Sequence, residues 1–273
     1  IGGVISDKGT HAWVPEPAFP PINRDEELKK ASEAAAWADC AIVFVGSNAS
    51  VEHESLDRKT LALSGNQEEL VKRVAAANPR TIVVLMSAGP ISAPWLKENI
   101  PALLQAWWPG EEGGHAIADV LLGKINPAGR LPYTIYQSDQ QVPARDEYDI
   151  SKGFTYMYLR GDALFPFGHG LSYSQFDYHD LEIDTKPLKS NEVATLRIQI
   201  TNRSSRDGDE VVQLYTRAVD RSLVRPEREL RGFRRIHLRA GETQTVVFEL
   251  APEKLAMWSC LLYTSDAADE EDS

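Results

Sequence analysis

The 273-residue chain holds only two cysteines and three methionines. Two cysteines cannot build the disulfide framework of a small secreted module. No Cys or His spacing forms a zinc pattern, and no Cys–His nucleophile pattern is present. Nothing in the sequence points to a cofactor or a metal. Free cysteine is among the most buried residue types, so Cys40, beside an apolar run, is expected to be a small core residue. No apolar stretch approaches the roughly 18 residues of a membrane span, so no membrane partner is expected. Basic residues are the minority, with 29 Lys and Arg against 40 Asp and Glu and a net charge of -11. That balance disfavours nucleic acid as a partner. No strand leads into a G-x-G-x-x-G or P-loop pattern, which disfavours a nucleotide-binding domain. An initiator Met and a basic-then-apolar signal segment are also missing at Ile1. The start reads as a cut end. A periplasmic or secreted location is the expectation, with any export signal outside this sequence.

What is present is ordinary for a globular protein: 42% hydrophobic and 25% charged residues. The length suggests two domains. Residues 1 to 22 are rich in Gly and Pro and read as an irregular approach segment. Asn23 with Glu26 resembles a capping box ahead of a helix over 26–38. Cys40 to Val45 has the length of a buried strand. A helix over 67–77 follows, with Leu70, Val71 and Val74 as its apolar face and Asn78-Pro79 as its stop. Thr81 to Met86 is a second strand, 93–98 a short helix, Ala102 to Trp107 a third strand and 115–122 another helix. Such alternation argues for a mostly parallel sheet with helices on both faces.

The pattern changes after Gly123. Asn126 to Pro132 is a turn-rich connector, and Leu164 to Tyr173 is a compact aromatic–glycine corner. From Phe176 the apolar residues alternate with period two. Runs at 176–183, 194–200, 211–215 and 245–250 are separated by turns such as Asp207-Gly208 and Ala240-Gly241. That reads as a β-sandwich. Arg217, Arg221, Arg225, Arg228, Arg231, Arg234 and Arg235 form a basic cluster, read as a solvated or salt-bridged face. The last segment, Cys260 to Glu270 (CLLYTSDAADE), resembles an in-frame translation of a sequencing adapter. Residues 260–273 are therefore set aside as an artefact tail.

The richest chemistry lies in the polar loop after Val45. Glu52 and Glu54 stand two residues apart, with Asp57-Arg58 close behind. In open α/β sheets, ligands bind outside the carboxyl ends of strands. Carboxylates placed there suit proton transfer to a neutral, polar substrate. His53, between the glutamates, turns to the opposite side if the loop is extended. Trp95, Trp107 and Trp108 read as core packing, with sugar stacking as the alternative.

The ordered set of motifs resembles the C-terminal half of glycoside hydrolase family 3 enzymes, the β-glucosidase and β-xylosidase type. It comprises Glu-x-Glu-x-x-Asp-Arg-x-x-Leu-x-Leu at 52–63, Gly65-Asn66-Gln67, and Pro109 to Gly114. Gly123 to Pro132 and Phe165 to Tyr173 complete it. The resemblance implies an α/β sandwich at 23–136, a linker and interdomain segment at 137–175, and a truncated fibronectin type III-like domain at 176–259. It also implies an upstream barrel domain, missing here, that carries the nucleophilic aspartate.

Retaining glycosidases need two carboxyl groups about 5 to 5.5 Å apart, one attacking and one shuttling the proton. The resemblance assigns the general acid/base to this loop. Glu54, three residues before Asp57-Arg58, is favoured, and Glu52 is the alternative. Asp57 and Arg58 position the loop as an internal clamp or touch the sugar. The expected activity is exo-acting hydrolysis of terminal non-reducing β-D-glucosyl residues in β-linked oligosaccharides or aryl glycosides. A β-xylosidase of the same family and a non-catalytic carbohydrate-binding or scaffold protein are the alternatives. Without the barrel this chain is expected to be inactive.

Overall fold

The computed structural model describes residues 23–184, 192–219 and 224–256. The approach segment, Arg221 of the basic cluster and the tail from Cys260 lie outside them. The described residues divide into two compact units. One contains 23–125, 130–170 and 224–227, and the other contains 126–129, 171–184, 192–219 and 228–256.

In the first unit, α1 (Arg24–Trp37) leads into β1 (Ala41–Gly46). Then come α2 (Gln67–Ala77), β2 (Thr81–Met86), α3 (Pro94–Asn99), β3 (Ala102–Gln105) and α4 (Gly113–Leu121). Asn23 caps α1 by accepting from the Glu26 backbone N–H at 3.4 Å, where three acidic residues also meet the positive helix end. The strands form one parallel sheet in the order β1-β2-β3, with Ala41 opposite Thr81 and Gly46 opposite Met86. Each β-α-β step supplies the long crossover that parallel pairing needs.

Alternation sorts the side chains of β1. Ala41, Val43 and Val45 enter a core with Val83 and Leu85 of β2, Val71 and Val74 of α2 and Leu96 of α3. Full burial of such side chains contributes roughly 1.5 to 3 kcal/mol each. Ile42 and Phe44 point the other way and are exposed. The same alternation corrects the expectation for Cys40. The strand starts one residue later, Cys40 falls in its outward register, and its thiol is exposed rather than buried. Beyond α4 the first unit also holds the polar stretch 137–153 and residues 164–170 of the aromatic corner. Leu131 N–H donates to His169 O, and Ile135 pairs with Phe165.

The second unit is built on five strands, with one turn of 3-10 helix at Pro252–Lys254 among its described residues. One antiparallel sheet runs β4 (Phe176–Ile183), β5 (Ala194–Asn202), β8 (Thr243–Leu250). The other pairs β6 (Gly208–Thr216) with β7 (Glu229–Leu238). Ile200, Val246 and Phe248 of the first sheet meet Val212 and Leu238 of the second in one core, which makes a sandwich. Strand β7 was not expected from the sequence. Its arginines had marked the segment as a solvated face. Arg234 and Arg235 are both exposed, Arg234 over the ring of Phe248, while Ile236 and Leu238 reach the core.

Candidate active site

Strand β1 ends at Gly46, where the backbone has φ 150°. A Cβ there would lie 1.8 Å from Met86 O, so the close pairing of β1 with β2 tolerates no side chain. Ser47 N–H donates to Met86 O at 2.9 Å and carries the parallel pairing one residue further. The polar loop therefore leaves the carboxyl end of β1 beside the turn that follows β2, Ser87 to Pro90.

Asn48 organises the first bend. Its side-chain oxygen accepts from Ser50 N–H at 2.9 Å, and its carbonyl accepts from Val51 and Glu52. A tight reversal follows. His53 and Leu56 exchange two backbone hydrogen bonds of 3.1 and 2.9 Å, leaving Glu54 and Ser55 as the central pair. Ser55 has φ 72°, the left-handed conformation that a type II turn requires at its second central residue. Glu54 is thus presented at an exposed tip.

Glu52 has the opposite environment. Its side chain is only 13% exposed and that of Arg58 only 8%. Arg58 Nε donates to Glu52 Oε2 at 2.7 Å. Glu52 also accepts from the Ser47 hydroxyl and from the backbone N–H groups of Ala88 at 3.1 Å and Gly89 at 3.4 Å. Burial pushes its carboxyl up, but the hydrogen bonds from Ser47 and Arg58 outweigh that and hold it below the ordinary value. This set of donors favours the ionised form of Glu52, whereas a general acid must hold its proton until substrate arrives. Burial also pushes the nearby Tyr133 phenol up, with the Glu52 charge adding to the shift and Arg58 opposing it.

The structure brings Glu52 and Arg58 together and leaves Asp57 apart. Asp57 is 84% exposed, with Arg145 at 3.6 Å. Downstream, Asp139 accepts from the Thr60 hydroxyl at 2.6 Å and from Leu61 N–H at 2.7 Å. Ser47, Ala88, Gly89 and Asp139 were not singled out in the sequence. The first three could have been found by laying parallel strands β1 and β2 in register, which puts their following turns side by side.

The tryptophans divide. Trp107 meets Tyr133 edge-on at 5.1 Å, and Trp95 packs on the main core beneath Lys72. Trp108 is 45% exposed, and its indole N–H donates to Ser47 O at 3.1 Å. It lines an open groove of about 540 Å³ with Phe44, Ser47, Met86, Pro109 and Ile117. Gly113 opens α4 because a Cβ would lie 2.3 Å from Pro109. Among the described residues no group of three or more His, Cys, Asp or Glu could hold a metal ion. No described helix is long and apolar enough to cross a membrane.

Comparison with known proteins decides what this arrangement belongs to. Residues 5–173 match the glycosyl hydrolase family 3 C-terminal domain, and residues 210–260 match the fibronectin type III-like domain. The chain belongs to glycosyl hydrolase family 3. It is 36% identical over 248 residues to thermostable β-glucosidase B of Acetivibrio thermocellus, covering 86% of this chain and 33% of that protein. A β-glucosidase of Rhizobium radiobacter is also 36% identical, with 85% and 30% covered. Among solved structures, Kluyveromyces marxianus β-glucosidase in complex with glucose shares 36% identity at a TM-score of 0.77, over 85% of this chain and 29% of that one. The family 3 β-glucosidase of Bifidobacterium adolescentis shares 32% at 0.78, over 89% and 37%. The chain thus spans about a third of the length of the curated relatives it matches. Family membership agrees with both expected folds, the α/β sandwich and the fibronectin type III-like sandwich.

Proposed function

We propose that this chain is part of a retaining, exo-acting β-glucosidase and supplies its general acid/base, Glu54. Its substrates are β-linked oligosaccharides or aryl glycosides with a terminal non-reducing β-D-glucosyl residue. The β-glucosidase relatives support the substrate class. One observation carries the choice of residue: Glu54 stands free at the tip of its turn, while Glu52 is held ionised at the base. An acid/base must release its proton to the leaving oxygen and later take one from water. An exposed carboxyl that can dry out when substrate closes over it suits that cycle. A carboxylate already saturated by four donors does not. The attacking carboxylate comes from a separate domain of the same protein, in line with the share of its relatives that this chain spans.

The test uses the enzyme in which this chain and its nucleophile-bearing domain are joined. Glu54→Ala should lose hydrolysis of nitrophenyl β-glucoside by a factor of about 10² to 10⁴. Azide should restore turnover as a glycosyl azide product. Full activity of Glu54→Ala, or azide rescue of Glu52→Ala instead, would transfer the role. Sugar binding without hydrolysis in the unsubstituted enzyme would leave a carbohydrate-binding protein.

A further inference from the structure

We propose that Glu52 and Arg58 act as a clasp, a buried ion pair that positions the Glu54 turn for proton transfer without touching substrate. The catalytic part of this inference rests on the reading of Glu54 as acid/base; the mechanical part does not.

The two residues are six positions apart, and the turn from His53 to Leu56 lies between them. Their 2.7 Å contact therefore closes the loop at its neck, with Glu54 beyond it. Each partner is also tied to the turn after β2. Glu52 accepts from Ala88 and Gly89, and Arg58 Nη2 donates to Pro90 O at 2.7 Å. That turn is itself braced by Ser87, whose hydroxyl donates to Gly89 O at 2.8 Å. The loop from one strand is thus stapled to the turn from its neighbour.

Gly89 supplies an independent sign that the backbone is fitted around the pair. A Cβ at this position would come within 3.2 Å of Arg58 Nη2 and 3.4 Å of Glu52 Oε2. A buried ion pair is tolerated when further hydrogen bonds satisfy it, and it lends geometric definition more readily than net stability. Here the carboxylate is fully engaged, and the guanidinium is directed by two acceptors through Nε and Nη2, while its buried Nη1 has no partner among the described residues. Side chains held by supporting hydrogen bonds are what a proton-transfer group needs behind it.

The clasp predicts a particular pattern of damage. Departure of dinitrophenol needs no proton, whereas departure of an alkyl alcohol does. The readout is kcat/KM, which reports glycosylation alone, in the enzyme joined to its nucleophile-bearing domain. Glu52→Gln and Arg58→Lys should lower kcat/KM for an alkyl β-glucoside by about 10- to 100-fold, the scale expected for roughly 1 Å of misplacement. The loss on dinitrophenyl β-glucoside should be much smaller, and azide should rescue neither variant. Equal losses on both substrates would reduce the pair to a fold-stabilising contact and overturn the proposal. So would azide rescue of Glu52→Gln.

Hydrogen exchange on the 273-residue chain separates the clasp from the acid/base assignment. In Arg58→Lys, the amides of 53–57 should exchange faster while those of β2 keep their protection. Unchanged exchange at 53–57 would overturn the clasp even if Glu54→Ala behaves as an acid/base variant. Faster exchange there would support it even if Glu54→Ala does not.

Discussion

Gln67 and Gly46 hold each other by both ends of a backbone residue. Gly46 N–H donates to Gln67 Oε1 at 2.6 Å, and Gln67 Nε2 donates to Gly46 O at 2.8 Å. The first residue of α2 is thereby fastened to the last residue of β1, and the 20-residue loop between them is closed. Gln67→Ala would leave two part-buried backbone groups without their partners. Each lost partner costs about 1 to 3 kcal/mol when the group left behind stays out of water. We expect a loss of about 2 to 3 kcal/mol in urea unfolding of this chain. Gln67→Glu keeps the acceptor but turns an anionic oxygen on Gly46 O, so it should lose at least as much.

Gly46 itself allows no substitution. The Cβ of an alanine would overlap Met86 O, which belongs to the backbone of the neighbouring strand and cannot swing away. Gly46→Ala must part β1 from β2 at the mouth of the candidate site. Overpacking of this kind costs typically 1 to 3 kcal/mol and sometimes more. The expected result is a thermal midpoint well below that of the parent, with hydrogen exchange accelerated at Ser47 and Met86. Gly65 is a useful control, because its added Cβ meets nothing within 4 Å and only its φ of 62° resists substitution.

Much of the first unit could be read directly, because its strands are continuous apolar runs. Thr81–Met86 and Gln67–Ala77 fall where periodicity and the Asn78-Pro79 stop put them. β7 was hidden because its arginines, one of them over the core ring of Phe248, broke the alternation that revealed β5. Cys40 was misread because residue type was weighed above alternation: it shares the outward face of Ile42 and Phe44. The candidate site shows the same division. The two glutamates were visible as a motif, since both lie in one stretch of chain. Their opposite environments were not, because those depend on Ala88, Gly89 and Pro90, brought close only by strand pairing.

Ser55 carries the backbone cost of presenting Glu54. A non-glycine residue in the left-handed region is strained by about 1 to 2 kcal/mol. Glycine removes that strain but loses about 0.5 to 1 kcal/mol of chain entropy on ordering. Ser55→Gly should therefore raise stability by up to about 1 kcal/mol while leaving the turn in place. Ser55→Val should lower it, since a β-branched residue resists this conformation more strongly. Thermal unfolding of the two variants beside the parent checks both signs. If valine is tolerated as well as glycine, the turn does not hold φ 72° in solution.

His169 gives the first unit a pH dependence of its own. Its half-buried imidazole is held below its usual pKa by burial first, then by the charges of Lys97 and Arg130. The corner around it is tightly tied. Its carbonyl accepts from Leu131 N–H at 2.8 Å, and its ring lies 5.3 Å from that of Phe165. The sign follows from proton counting. Below the ordinary value of 6.5, the unfolded chain takes up a proton that the folded one resists. The unfolded state then binds more protons, so stability falls as pH drops through about 6.5 towards the lower folded value. Urea midpoints measured from about pH 7.5 down to about pH 5.5 should decline in the parent, ahead of any carboxylate titration. His169→Gln should flatten that decline, because its amide carries no charge in either state. A slope unchanged by the substitution would mean that the imidazole gains charge in the folded corner as easily as it does in water.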